Sequence, residues 1–302
     1  MASTSDETIP AQEPDTHARP ALAGDDSGSR DRRPPLVLLH GLTFDRRLWN
    51  PALARVQQID PGRRVLALDL PGHGGESPDW SSYDIESVAD GVHRAVEQAR
   101  LESPVVVGHS ISAVIATVYA ARYPTRGVVN VDQSLQVAPF AGLVQSLADK
   151  LRGPDFPTVW AMFAANMQIE LLPQSAQDLV RSTSRPQQQL VLGYWRELLD
   201  RPTDELVDLA AAALTTMRDA GVPYLIVAGN PLESGYQQWL DEMLPRSKSP
   251  SGPEAATSHT SLIPTVSRNA SPPPRGPRLK PQALRGRRQR PRNRVTAMES
   301  RR

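Results

Sequence analysis

Five short apolar runs punctuate the chain, each bounded by Gly, Pro or Asp: residues 36–39, 64–69, 104–108, 127–131 and 222–228. Unbroken runs of this length suit strands buried on both faces of a parallel sheet. Between them the apolar positions repeat with a helical period. Over 85–99, Ile85, Val88, Val92, Val96 and Ala99 share one face, and 111–122 carries small or β-branched residues on its inner side. Strands alternating with helices predict an α/β fold with a mostly parallel, doubly wound sheet.

The alternation stops over 140–219. No strand pattern occurs there, and Pro154, Pro157, Pro173, Pro186 and Pro202 divide the stretch into short amphipathic helices, 188–199 among them. A helical cap over one end of the sheet is the expected arrangement. Residues 1–33 are rich in Ala, Ser, Asp, Pro and Arg without period, and are expected to be disordered. The body then runs over 34–246. From 247 to 302 the chain is rich in Pro and Arg and again has no strand or helix period, which predicts a second disordered segment.

Charge sharpens this division. The net charge of +1 over 302 residues hides 13 Lys and Arg against Glu254 and Glu299 from Lys248 onward, about +11, while the remainder has 21 basic and 31 acidic residues. Such a tail can hold polyanions, nucleic acid included, non-specifically, but it lacks interleaved aromatics or a recognition motif. There is no cysteine, which excludes a disulfide scaffold, a thiolate metal site and a Cys nucleophile. No apolar run approaches the roughly 18 residues of a membrane span. The start is polar and acidic rather than signal-like, so a cytoplasmic location without membrane attachment is expected.

Three motifs carry the candidate chemistry. In Val107-Gly108-His109-Ser110-Ile111-Ser112 a strand ends, Ser110 occupies the turn and a helix begins. A nucleophile elbow needs small residues two before and two after the Ser; Gly108 meets this, and Ser112 stands where Gly is usual. His40-Gly41-Leu42 follows the first strand, where the Leu42 amide could join that of Ile111 as an oxyanion hole, with His40 holding the loop. Asp69-Leu70-Pro71-Gly72-His73-Gly74 follows the second strand and reads as a structural turn, without a catalytic role for His73.

In this order and at these spacings, His40-Gly41, the 69–74 turn and the 108–112 elbow resemble the α/β-hydrolase superfamily over roughly residues 34–246. The resemblance implies an eight-stranded, mostly parallel sheet with a helical cap over about 140–219. It implies Ser110 as nucleophile, Leu42 and Ile111 as oxyanion donors, and His40, Gly41, Gly108 and His109 as motif support. It implies no cofactor and no metal. Two positions are open to the triad acid: Asp132, after the fourth run, and the turn after the fifth, where Asn230 stands at the usual Asp position and Glu233 is a substitute. Asp132 is slightly favoured.

The general base departs from the pattern. His17 lies in the N-terminal segment, His40, His73 and His109 have motif places, and His93 lies on the polar side of a helix. His259 alone follows the fifth run, without a preceding strand, a small residue before it or an apolar helix after it. If any synonymous codons are allowed for 247–268, one displaced reading is nevertheless Q-V-T-V-W-P-G-S-G-H-F-P-H-L-A-H-P-D-R-F-A. That is a strand, a Gly-His turn and the start of an amphipathic helix, the way this superfamily ends. A frameshift near Arg246 is therefore expected, with the last strand and helix missing. The function implied is serine-based hydrolysis of a small ester-like substrate through an acyl-enzyme, weakened or lost in this chain. The alternative is a non-catalytic fold, or polyanion binding through the tail.

Overall fold

The computed structural model describes residues 22–75 and 82–244. His17, His259, the basic tail and the place of any closing strand and helix lie outside them. The described chain forms a sheet of six strands: β1 (Gly24–Ser27), β2 (Leu36–Leu39), β3 (Val65–Leu68), β4 (Val105–His109), β5 (Gly127–Val131) and β6 (Tyr224–Val227), in the order β1-β3-β2-β4-β5-β6. The pairs from β3 to β6 are parallel, and each strand of β2–β6 coincides with a predicted apolar run.

β1 corrects the expectation of disorder over 1–33 for the part described. All four of its residues are exposed, and it joins β3 antiparallel through backbone pairs such as Gly24↔Leu68. The Asp69 amide continues the contact by donating to the Ala23 carbonyl at 2.8 Å. An edge strand held by its backbone alone has no apolar alternation to read.

Helices α1 (Asn50–Ile59), α2 (Ile85–Gln98) and α3 (Ile111–Arg122) connect the first strands. Asp84 starts α2 by accepting from the Ser87 amide at 2.7 Å, an N-cap bond that also suits the helix dipole. The face of α2 predicted to be apolar buries Val88, Val92 and Val96. α3 buries mostly small residues, with Ile115 and Tyr119 as the large exceptions among its buried positions. Seven helices follow β5: α4 (Ala138–Ser146), α5 (Ala148–Arg152), α6 (Phe156–Ala165), α7 (Gln174–Thr183), α8 (Gln188–Tyr194), α9 (Arg196–Asp200) and α10 (Thr203–Asp219). They fill the stretch expected to be a helical cap. The single helix expected over 188–199 is two, divided at Trp195, whose ring is buried against Phe140 and Phe163 at 5.5 and 5.3 Å. α11 (Ser234–Met243) follows β6, anchored by the fully buried Leu240.

The two faces of the sheet are covered unequally. On one, Val37, Leu39, Leu66, Leu68, Val106, Val128 and Ile226 join the main core with α2 and α3, and all are buried. On the other, Val105, Val107, Val129, Val131, Leu225 and Val227 are each only partly buried. α1 packs on this second face near Leu38 and Val65 but buries no residue fully. A stripe of six aliphatic side chains along β4, β5 and β6 thus retains contact with water.

Candidate active site

Parallel strands present their loops at their carboxyl ends, and the predicted site residues gather there. Register sets Leu39 beside Gly108, and His109 beside Val131. The turns after β2, β4, β5 and β6 therefore lie side by side, carrying Leu42, Ser110, Asp132 and the 228–233 loop.

Ser110 sits between β4 and α3 at φ 55°, ψ −130°. A residue with a Cβ rarely adopts this conformation, which costs of order 1–3 kcal/mol and persists only where the surroundings enforce it. Here its amide donates to the Val131 carbonyl at 3.0 Å and its carbonyl accepts from the Ala113 amide at 2.8 Å. Gly108 permits the crossing: a Cβ there would run into the backbone of Ser112 and Ala113. Ser112, standing where Gly is usual, is fully buried and donates its hydroxyl to the His40 carbonyl. The departure from the usual elbow is thus a tie between the Ser110 turn and the loop after β2. Ile111 opens α3, so its amide belongs to the first turn, where the helix leaves N–H groups without an intrahelical acceptor.

The loop carrying Leu42 is held by two buried histidines. His40 Nε2 accepts from the Leu70 amide at 3.0 Å, so Nδ1 carries the proton and donates to the Gly41 carbonyl at 2.8 Å. His73 repeats the pattern, accepting from the Thr43 amide at 3.0 Å and donating to the Pro71 carbonyl at 2.9 Å. Their rings meet edge to face at 4.9 Å. Leu42 is bracketed by bonds on either side, and Gly41 leaves no room for a Cβ beside the His109 ring. Asp69 accepts from the Arg46 amide at 2.7 Å and pairs with the Arg46 side chain, fulfilling the turn role expected of it.

Burial holds both histidines neutral. It pushes His40 down to about 4, and it pushes His73 down to about 3, where the neighbouring His40 adds to the effect. Neither ring is available as a general base. The unfolded chain therefore binds protons that the folded chain refuses, and stability from this clamp is complete above pH 6.5 and lost on acidification toward pH 4 and then 3. Urea unfolding is expected to lose about 2–3 kcal/mol between pH 7.5 and 5.5, from about 1.4 kcal/mol per histidine and pH unit below 6.5. Asp45 and Asp84, held below the usual carboxylate range by bonds from Arg47 and from Ser82 and Ser87 that outweigh burial, contribute only at lower pH. An unfolding midpoint unchanged across that range would show that the histidines are not held neutral.

The remaining candidates separate by position. Asp132 follows β5 at φ 58°, partly buried, with its amide donating to the Val227 carbonyl at 2.8 Å. Glu233 is exposed at the start of α11, and Asn230 is exposed in the loop before it. His109 is buried beside Gly41, with Phe44 at 6.4 Å. His93 lies away from these turns, stacked on Tyr123 at 3.7 Å between α2 and α3. What the sequence reading missed is the part of Asn130, whose buried amide closes the 130–133 turn around Asp132. Among the described residues no group of acidic or histidine side chains is arranged to hold a metal ion. No described helix is long and apolar enough to cross a membrane.

Comparison with known proteins agrees with this architecture. A bifunctional esterase/perhydrolase of Acinetobacter calcoaceticus is 31% identical over 126 residues, 42% of this chain and 45% of that protein. A putative non-heme chloroperoxidase of Synechocystis is 25% identical over 223 residues, 66% of this chain and 76% of that protein. The abhydrolase domain-containing protein abhd-5.2 of Caenorhabditis elegans is 38% identical over 96 residues, where the chain spans only 21% of that protein's length. An esterase from Exiguobacterium antarcticum superposes with a TM-score of 0.58 at 17% identity, covering 76% of this chain and 85% of that one, a likeness of fold. The sequence model of the alpha/beta hydrolase family matches residues 36–268, a stretch that includes every turn described above and continues through His259. The chain belongs to the alpha/beta hydrolase family.

Proposed function

We propose that this chain is built for serine-based hydrolysis of a small ester-like substrate, and that its general base is displaced by the frameshift near Arg246. The observation that carries the reading is the backbone of Ser110, held at φ 55°, ψ −130° between strand and helix. That conformation costs stability, and it suits an elbow that lifts a hydroxyl clear of the sheet at the mouth of the helix. Ser110 Oγ adds to the ester carbonyl carbon as its proton passes to the base. The carbonyl π electrons move to oxygen, which the Leu42 and Ile111 amides receive. Collapse expels the alkoxide, which takes the proton, and water then releases the acid by the same steps. Asp132, one strand over from Ser110, would orient the base.

The base itself is the missing part. His40 and His73 are neutral clamps, so His259 is what this chain offers, and the Gly-His of the displaced frame is what the family pattern asks for. Esterase activity in a relative and a structural neighbour supports the substrate class. Phosphonylation by a fluorophosphonate probe, mapped by mass spectrometry, tests the reading. A slow reaction confined to Ser110 and unchanged in His259→Ala is expected. Modification elsewhere would remove the site assignment. Absence of any reaction in this chain and in its frame-restored form would favour a non-catalytic fold with a polyanion-binding tail.

A further inference from the structure

Three buried polar side chains on the α3 face of the sheet belong to no motif. Asn130 is fully buried, and Thr117 and Tyr224 are each 3% exposed. Asn130 donates Nδ2 to the Gln133 carbonyl at 2.8 Å and accepts from the Gln133 amide at 3.0 Å, closing the turn that carries Asp132. Asp132 itself donates its amide to the Val227 carbonyl at 2.8 Å, in the strand that carries Tyr224. The Tyr224 hydroxyl lies 2.9 Å from Thr117 Oγ1, and Thr117 Oγ1 spends its one proton on the Ala113 carbonyl at 2.7 Å. Tyr224 is therefore the donor to Thr117. Ala113 in turn donates its amide to the Ser110 carbonyl at 2.8 Å. The turn of Asp132 is thus tied to β6 through Val227, and β6 is tied through Tyr224 and Thr117 to the first turns of α3, where Ser110 sits.

Folding alone does not ask for this. Three apolar side chains of the same shapes would fill the space, and buried polar groups help only where every member is satisfied. Two turns at positive φ, Ser110 at 55° and Asp132 at 58°, however, persist only where their surroundings enforce them. We infer that Asn130, Tyr224 and Thr117 form a positioning network that fixes the Asp132 turn relative to the Ser110 turn. The inference rests on the serine reading for its catalytic consequence, but not for the coupling itself.

Tyr224→Phe and Thr117→Val keep the shapes and remove one hydroxyl each. In the full chain, amide hydrogen exchange is expected to rise about tenfold in both 108–113 and 130–134, the scale of one lost hydrogen bond. The double variant should add little to either single one, because both break one path. Fluorophosphonate labelling of Ser110 should fall about tenfold in its maximal rate, with half-saturation unchanged. Exchange that rises only beside residue 224, or a lower melting temperature with unchanged exchange in both turns, would reduce the three residues to core packing. The serine reading fails separately, if labelling survives in Ser110→Ala, and the exchange result then still decides the coupling.

Discussion

A chain translated in the displaced frame after Arg246 is expected to melt higher than the present one and to react with a fluorophosphonate at Ser110 about 10⁴-fold faster, the scale of losing one triad member. Both effects follow from named features. The stripe of Val105, Val107, Val129, Val131, Leu225 and Val227 is only partly buried on the face that α1 leaves thin. An amphipathic helix of the kind expected from the displaced frame would cover it, at roughly 25 cal/mol per Å² removed from water. A gain of a few kcal/mol in a domain of this size corresponds to at least about 5 °C in Tm. The expected rate effect comes from the proposed Gly-His turn, which would supply the base that His40 and His73 do not, because both ring nitrogens of each are engaged by backbone groups. Thermal melts and labelling rates on the two chains decide it. Equal rates would assign the base to His259, and equal melting temperatures would mean that the stripe needs no helix.

Substitution at Ser110 is expected to separate reactivity from stability. Ser110→Ala should abolish labelling and leave Tm nearly unchanged, because alanine meets the same backbone strain. Ser110→Gly should also abolish labelling, yet raise Tm by a few degrees, since glycine adopts φ 55°, ψ −130° without the penalty of about 1–3 kcal/mol. Opposite responses of reactivity and stability at one position are the mark of strain kept for function. A Tm that falls in Ser110→Gly would show the turn to be relaxed, and the elbow would lose its main physical argument.

The runs that became β2–β6 were legible because strands buried on both faces exclude water from every residue, so each run is apolar without interruption. The elbow was legible because a tight turn restricts side-chain size at 108 and 112 within a few residues of Ser110. These are local constraints, and amino-acid order suffices to record them. Four exposed residues paired only through their backbone left no such record for β1. Trp195 divides a helical pattern for the sake of rings at 140 and 163, a reason that lies outside the pattern. The part of Ser112 in holding His40 and the bond from Tyr224 to Thr117 depend on contacts between residues 72 and 107 positions apart. Only the folded sheet and its helices bring those residues together, because hydrogen-bonding partners are chosen by distance in space and sequence order does not encode it.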